Sequence, residues 1–486
     1  MTERDILPYE DYQLRISQDS IYGRVGFSVT LDSVLMLTNC IANYCAKNGI
    51  HLIRIGFDSS AWAGPFAEEV ISNRLSHLGF DCQIIERPCP IFQLSWAVNQ
   101  GWEASKHATP ILGIYVGTDG YYEDQLSFHF RHPDGLPYSE SEVASIAAEP
   151  SSIKLLEKAA CYTEVPEYLN IQDYPKYLTD IRAVTKTRLK KLPMVVDSMF
   201  GASESAFSEL FSQYGMKGAV INRATNLLKY VNYLPRPTGA GLQWRMESSK
   251  GISSQYFAID GDGDSIGLMD VKQELEISPS GIYCILLKYL AEVKKRKGTV
   301  LISKALSDKV QQIAHYYGFK TIWLDSGIAE FSKTIRTADK RSILMYGDET
   351  GGFWFKGDVM DRNSMITSLL ITEACDHFKM SPGEILDEMY NKILEKTFVY
   401  GKLEIPDRDA SKKFIEDVIE TELTVTSKEK GLTTVYKLEN SKIVLVRQEK
   451  FKYTSVYIES IDENKTRDFT QLIKEKVYEK DTPQDE

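Results

Sequence analysis

Ala258-Ile259-Asp260-Gly261-Asp262-Gly263-Asp264-Ser265-Ile266-Gly267 sets three carboxylates in alternation with glycines, between two apolar, strand-like runs. In an extended turn this alternation points all three carboxylates toward one place, and glycine lets the backbone fold tightly around it. Left to themselves, three such carboxylates repel and raise one another's pKa. A hard cation such as Mg²⁺, which takes oxygen ligands, removes the conflict. Asp260, Asp262 and Asp264 are therefore expected to ligate a metal ion, against the blander alternative of a solvated acidic turn. An EF-hand does not fit. Counted from Asp260, the sixth position is Ser265 rather than Gly and the twelfth is Val271 rather than Glu, and the flanks are strands.

Outward from this turn, three segments share one syntax of apolar strand, helix with a buried stripe, glycine stop and second strand. The first runs from Leu52–Phe57 through a helix carrying Phe66, Val70, Leu75 and Leu78 to Gly79 and Cys82–Ile85. The second has Met194-Val195-Val196, a helix with Phe207, Leu210 and Phe211, then Gly215 and Ala219-Val220-Ile221. The third has Thr299–Ile302, a helix with Val310, Ile313 and Tyr317, then Gly318 and Thr321–Leu324. Each glycine stands where a helix ends in the left-handed conformation, and strand–helix–strand units of this length are right-handed crossovers in largely parallel sheets.

The last part reads differently. Thr433–Leu438, Lys442–Val446 and Ser455–Ile458 are short β-branched or aromatic runs separated by turns. A helix with Phe469, Leu472, Ile473 and Val477 at helical spacing follows over about Lys465–Tyr478, and Glu479–Glu486 is a charged tail. The fold class expected is α/β: three consecutive, related βαβ-rich domains plus a small C-terminal α+β domain with an antiparallel sheet. The boundaries fall at residues 1–160, 161–273, 274–396 and 397–486.

Composition narrows the function. Lys+Arg of 57 against Asp+Glu of 68 gives a net charge of −11 across 486 residues, which argues against nucleic-acid binding. No apolar stretch is long enough to cross a bilayer; the richest, Ile282–Leu290, is interrupted by Lys288. The charged N-terminus shows no secretory signal. The 7 cysteines are scattered without a C-x-x-C pair, which excludes a zinc ribbon or disulfide framework and suits a reducing cytoplasm. A second polar cluster, Tyr346-Gly347-Asp348-Glu349-Thr350-Gly351-Gly352, places acidic groups and a hydroxyl between glycines, a combination suited to sugar hydroxyls or to a plain turn.

In this order, the domain pattern and its motifs resemble the α-D-phosphohexomutases, the phosphoglucomutases and phosphomannomutases, over nearly the whole chain. The resemblance includes the D-G-D-G-D loop and the cluster at Asp348, Glu349 and Thr350, similar to the family's G-E-x-S-G sugar loop. It also includes Asp197-Ser198-Met199-Phe200-Gly201-Ala202, which looks like D-P-M-H-G-A, and the stretch from Gly351-Gly352-Phe353 to Asp361-Arg362. It implies Mg²⁺ as cofactor, a hexose phosphate as ligand and phosphoryl transfer through an enzyme phosphoserine.

The departures from the family pattern are equally specific. The phosphoserine loop T-A-S-H-N-P corresponds to Val116-Gly117-Thr118-Asp119-Gly120-Tyr121, which has no serine. Thr118 could accept a phosphoryl group, and Asp119 could imitate a fixed charge or form an acyl phosphate. The metal loop's following Arg is Ser265. The phosphate-binding loop R-x-S-G-T becomes Arg447-Gln448-Glu449-Lys450-Phe451-Lys452-Tyr453, leaving Arg447, Lys450 and Lys452 as phosphate ligands without a glycine cradle. The N-terminal G-T-S-G-I-R-G element becomes Gly23–Val29 with its Arg displaced, and Phe200 stands where the family commonly has His. His107, His129 and His132 near the altered loop read as surface residues.

Phosphoryl transfer depends on positioning and charge stabilisation. Four altered sites therefore point to a divergent phosphohexomutase-like protein, deficient in mutase catalysis, that keeps metal and sugar recognition in a binding, regulatory or assembly role with a protein partner. The alternative is an active Mg²⁺-dependent mutase with Thr118 or Asp119 as phosphoacceptor. A third reading is hydrolysis of a phosphosugar at the three-aspartate metal site.

Overall fold

The computed structural model describes residues 13–118, 124–151, 167–182, 189–223, 237, 250–338, 342–394, 399–407, 409–448, 450 and 452–478. They form two compact units. The first takes in Met1–Ser278, Ser332–Ala338 and Thr350–Gly383; the second takes in Pro279–Phe331, Asp339–Glu349 and Glu384–Glu486.

The first unit holds two sheets. Strands β1 (Arg15–Ser17), β2 (Ser20–Arg24), β3 (Leu52–Phe57), β4 (Asp81–Ile85), β5 (Ile111–Gly117), β6 (Gln125–Arg131) and β7 (Glu167–Leu169) run in the order β1-β2-β6-β5-β3-β4-β7. The crossover predicted from the first repeat is present, β3 pairing in parallel with β4 and with β5. Its middle strands are buried on both faces, with Ile53, Ile55, Ile84, Leu112, Ile114 and Phe128 fully inside, but the sheet is mixed rather than largely parallel, because β1–β2, β2–β6 and β5–β6 pair antiparallel. The sheet runs past residue 160 through β7, which pairs with β4.

The second sheet consists of β8 (Met194–Asp197), β9 (Gly218–Ile221), β10 (Gln255–Ile259), β11 (Ile266–Asp270) and β12 (Leu275–Ile277), ordered β12-β11-β10-β8-β9. The helix Ser203–Tyr214 joins β8 to its parallel neighbour β9 and stops at Gly215, whose φ of 60° is left-handed. Gly79 and Gly318 take positive φ at the corresponding stops of the other two repeats.

In the second unit β13 (Thr299–Ser303) pairs in parallel with both β14 (Lys320–Leu324) and β15 (Ile343–Gly347). The helix Asp308–Tyr316 between β13 and β14 is capped by Ser307, which accepts the Lys309 N–H. The short strand β16 (Phe353–Phe355) lies in a stretch of chain that belongs to the first unit. A further sheet of the second unit comprises β17 (Val399–Pro406), β18 (Val425–Glu429), β19 (Thr433–Leu438), β20 (Ser441–Gln448) and β21 (Tyr453–Ser460), ordered β17-β21-β20-β19-β18 and antiparallel throughout. Its inner face packs Ile405, Tyr436, Leu445 and Ile458 against Ile415 and Ile419 of the helix Lys412–Glu422 and Ile473 of the helix Glu463–Tyr478. The charged tail from Glu479 onward and Cys161 lie outside the described residues. Among the described residues no helix is long and apolar enough to cross a membrane.

Candidate functional site

The hairpin β10–β11 pairs Ile259 with Ile266, so residues 260–265 form the turn between them. Carboxylate oxygens of Asp260, Asp262 and Asp264 lie within 4.8 Å of one another. The turn is held from several sides. Ala202 N–H donates to the Gly261 carbonyl (2.9 Å), Ile91 N–H donates to the Asp262 carbonyl (2.9 Å), and the Ser364 hydroxyl donates to the Gly263 carbonyl. Gly263 has φ +83° and lies against Pro90, so only glycine fits there without strain. Burial and the neighbouring carboxylates push Asp260 and Asp262 well above the usual carboxylate range. Carboxylate oxygens this close, with Asp260 and Asp262 destabilised as anions, fit a hard divalent cation. Such an ion would supply Lewis-acid polarisation of an oxygen ligand.

The turn resembling D-P-M-H-G-A supports that loop. Buried Asp197 accepts Met199 N–H (2.8 Å) and Asn222 Nδ2 (2.9 Å), fixing a bend in which Met199 and Phe200 both have positive φ. The bend brings Gly201 so close to the Asp260 and Gly261 carbonyls that an added Cβ would sit 2.7 and 2.8 Å from them. The Ser59 hydroxyl donates to the Phe200 carbonyl at 2.6 Å, tying the loop after β3 to the same bend.

Among the described residues, Arg362 reaches the acidic loop. Arg362 donates through Nη2 to Asp264 and through Nη1 to the Thr350 hydroxyl (3.2 Å), while the Ser265 hydroxyl donates to the other Asp264 oxygen (2.6 Å). Behind Arg362 lies a buried charged network. Asp361 accepts from Ser95 Oγ (2.6 Å) and Arg131 Nε (2.7 Å), and Arg131 Nη1 donates to Asp19 (2.5 Å), which also meets His129 Nδ1 (3.1 Å). Burial raises the Asp19 carboxyl, and the charges of His129 and Arg131 overcome this and hold it far below the usual carboxylate range.

Thr118 follows β5. Its hydroxyl donates to Asp58 Oδ2 (3.1 Å), as does its N–H (2.7 Å), while Ser60 N–H donates to Oδ1 (2.8 Å). Burial raises the Asp58 pKa. Between this pair and the metal loop stands buried Tyr115, whose phenol donates to the Cys89 carbonyl (2.8 Å) and is pushed well up by burial and by Asp58, Cys89, Asp262 and Asp260. Asp119 lies outside the described residues.

In the second unit, Glu349 follows β15 and accepts from Ser303 (2.5 Å), the last residue of β13, and from Ser326, just past β14. The group stands at the carboxyl ends of three parallel strands, where open α/β sheets place ligands. Burial and Asp348 raise the Glu349 pKa. Asp348 accepts from the Tyr346 hydroxyl (3.1 Å), whereas Thr350 belongs to the first unit and meets Arg362. Arg447 pairs with Asp407 (2.9 Å), and the Lys452 carbonyl accepts Asp407 N–H (2.8 Å) at a residue with φ 50°. Lys450 stands between two residues outside the described set.

Three findings go beyond the sequence reading. His107 is exposed, but His129 is buried on β6, a correction to the expectation of surface histidines. The signal was present in Ser127, His129 and Arg131, polar residues alternating with core phenylalanines on a buried strand. Asp58 and Arg362 carried no local signal of their function, since their partners Thr118 and Asp264 are far along the chain.

The chain thus combines α/β sheets, a three-aspartate hairpin and a C-terminal antiparallel sheet. Residues 278–393 match the family model for phosphoglucomutase/phosphomannomutase, alpha/beta/alpha domain III. A Thermus thermophilus protein assigned as a phosphomannomutase has a similar structure, with TM-score 0.78 and 19% identity over 95% of this chain and 98% of that one. Parafusin, a phosphoglucomutase from Paramecium solved in an open form, gives TM-score 0.73 and 12% identity over 96% and 97%. An Aspergillus fumigatus N-acetylphosphoglucosamine mutase, solved with GlcNAc-6P and magnesium, gives TM-score 0.55 and 11% identity over 96% of both chains. No curated protein matches in sequence. The third α/β domain thus matches the phosphoglucomutase/phosphomannomutase family model, and the fold of the chain is similar to that of solved phosphohexomutases over nearly its whole length.

Proposed function

We propose that this chain is a divergent phosphohexomutase-like protein that binds a divalent cation and a hexose phosphate but is deficient in mutase turnover, serving a binding, regulatory or assembly role with a protein partner. The observation that carries this reading is the pairing of Thr118 with Asp58. The only hydroxyl in the altered phosphoacceptor loop ahead of its tyrosines donates to a buried carboxylate at 3.1 Å. A phosphoryl group there would set about −2 of charge against Asp58. The pairing of Arg447 with Asp407 further occupies the one arginine kept in the C-terminal loop. Retained recognition is supported by the three-aspartate cluster and by Glu349 fixed between Ser303 and Ser326. The six described cysteines are free and buried, which supports a reducing, cytoplasmic setting.

A second reading rests on the same pair. At 3.1 Å, Asp58 is within reach to take the Thr118 proton. Thr118 Oγ would then bond to phosphorus as the sugar's P–O bond breaks, the proton passing on to the departing sugar oxygen. The test incubates the protein with Mg²⁺, glucose 1-phosphate and catalytic glucose 1,6-bisphosphate. The expected outcome is turnover below ~1 s⁻¹, the low end for enzymes, and an unchanged intact mass. Faster isomerisation, or an added phosphate mapped to Thr118, would establish the second reading instead. Thermal shifts with Mg²⁺ and with glucose 1-phosphate test the retained binding.

A further inference from the structure

Arg362 lies at the acidic loop by tertiary placement, on the stretch that follows β16. Its guanidinium spans the Asp264 carboxylate and the Thr350 hydroxyl, and its side chain is only 17% exposed. The other Asp264 oxygen takes the Ser265 hydroxyl at 2.6 Å. Both oxygens of one candidate ligand are thus already engaged. The arginine is anchored from behind, because its own N–H donates to Asp361 Oδ1 (3.0 Å) and Asp361 is fixed by Ser95 and Arg131. Gly352 leaves the room its stem occupies. A divalent ion taking Asp264 must therefore sit beside a positive charge that is mostly buried, where screening by solvent is weak.

We infer that Arg362 is a resident counter-cation of the acidic loop, which competes with the divalent ion for Asp264 and so sets how tightly the loop holds metal. This rests on the reading of Asp260, Asp262 and Asp264 as metal ligands. Arg362 also accounts for how three aspartates so close together coexist: its guanidinium sets a positive charge on Asp264, whose carboxylate lies within 4.8 Å of the other two. Its position off the loop makes the two roles separable by mutation.

The test is Mn²⁺ titration of the full chain by calorimetry, with electron paramagnetic resonance of free Mn²⁺ as a second readout. Uncharged Arg362→Gln and Arg362→Met should bind Mn²⁺ at least ~10-fold more tightly than the wild type. Arg362→Lys, which keeps the charge, should stay close to it, and circular dichroism melts confirm that each variant is folded. Equal or weaker binding by folded uncharged variants would overturn the inference and make Arg362 a structural clamp. Asp260→Asn separates the two claims. If wild-type binding is lost in that variant while Arg362→Gln matches the wild type, the metal reading stands and the counter-cation role fails. If neither the wild type nor Arg362→Gln binds Mn²⁺, both fail together.

Discussion

Asp358 shows how a single buried carboxyl can link stability to pH. It accepts from the Tyr177 hydroxyl (2.9 Å), Asn363 Nδ2 (2.8 Å) and its neighbour Val359 N–H (2.8 Å), yet burial pushes its pKa up to about 7. The hydrogen bonds favour the anion and the burial penalty outweighs them. Unfolded, the group titrates near the ordinary value of 3.8. Between those two values the native chain holds a proton that the unfolded chain has released, so the contribution is full at low pH and is lost as pH rises toward 7. A shift of this size corresponds to about 4 kcal/mol for a fully buried group. Urea unfolding of the wild type should therefore show a lower midpoint at pH 8 than at pH 5, and Asp358→Asn should flatten that difference. An equal slope in both proteins would remove Asp358 as its source. The Asn363 side chain that meets Asp358 also caps the helix Ser364–Phe378, accepting from Met365 and Ile366 N–H, so the carboxyl and the helix start are one hydrogen-bonded unit.

At the scale of elements, the crossovers were legible because they are local. A strand, a helix stripe and a glycine stop follow one another within a few tens of residues, and β3–β4, β8–β9 and β13–β14 pair in parallel as that syntax requires. The three aspartates were legible for the same reason, being on one turn. What supports that turn was not, because its contacts come from Ile91, Gly201–Ala202, Arg362 and Ser364, in separate parts of the chain. Nothing local distinguishes Asp361 from any other loop aspartate until Arg131 and Ser95 close on it. The Gly201 bend gives the sharpest test of this support. A Cβ at 2.7 Å from the Asp260 carbonyl and 2.8 Å from the Gly261 carbonyl meets backbone, which cannot rotate away as a side chain could. Gly201→Ala should destabilise the protein by about 1–3 kcal/mol, the usual range for overpacking. It should also weaken Mn²⁺ binding by at least ~10-fold, since the loop itself must shift. Unchanged Mn²⁺ affinity in a folded Gly201→Ala variant would mean that the bend does not position the carboxylates.

Across the whole molecule, the order of domains along the chain and the order of packing differ. The chain changes unit after residues 278, 331, 338, 349 and 383, so no single cut separates the two. A fragment ending at Ser278 keeps the three aspartates but loses Asp361, Arg362 and Ser364. Arg131 would then lose the carboxylate 2.7 Å from its Nε and keep only Asp19 as a partner while remaining a core residue, and removing one partner from a buried charged network costs several kcal/mol. The C-terminal stretch is different in kind. The core of its antiparallel sheet is drawn entirely from Leu403 to Val477, its strand pairings are internal, and two of its helices pack on that core. Its other face carries Val435, Val444, Val446 and Tyr457, which pack with Ala305 in the full chain, so separation exposes apolar area without opening the main core. The fragment 384–486 should therefore give a single cooperative thermal transition by circular dichroism, below that of the full chain. The fragment 1–278 should show helical signal without a sharp transition and should bind dyes that recognise exposed apolar surface. A cooperative melt with no dye binding in the 1–278 fragment would mean that Asp361 and its neighbours are dispensable to the first unit. The support of the acidic loop would then have to come from Ile91 and the Gly201 bend alone.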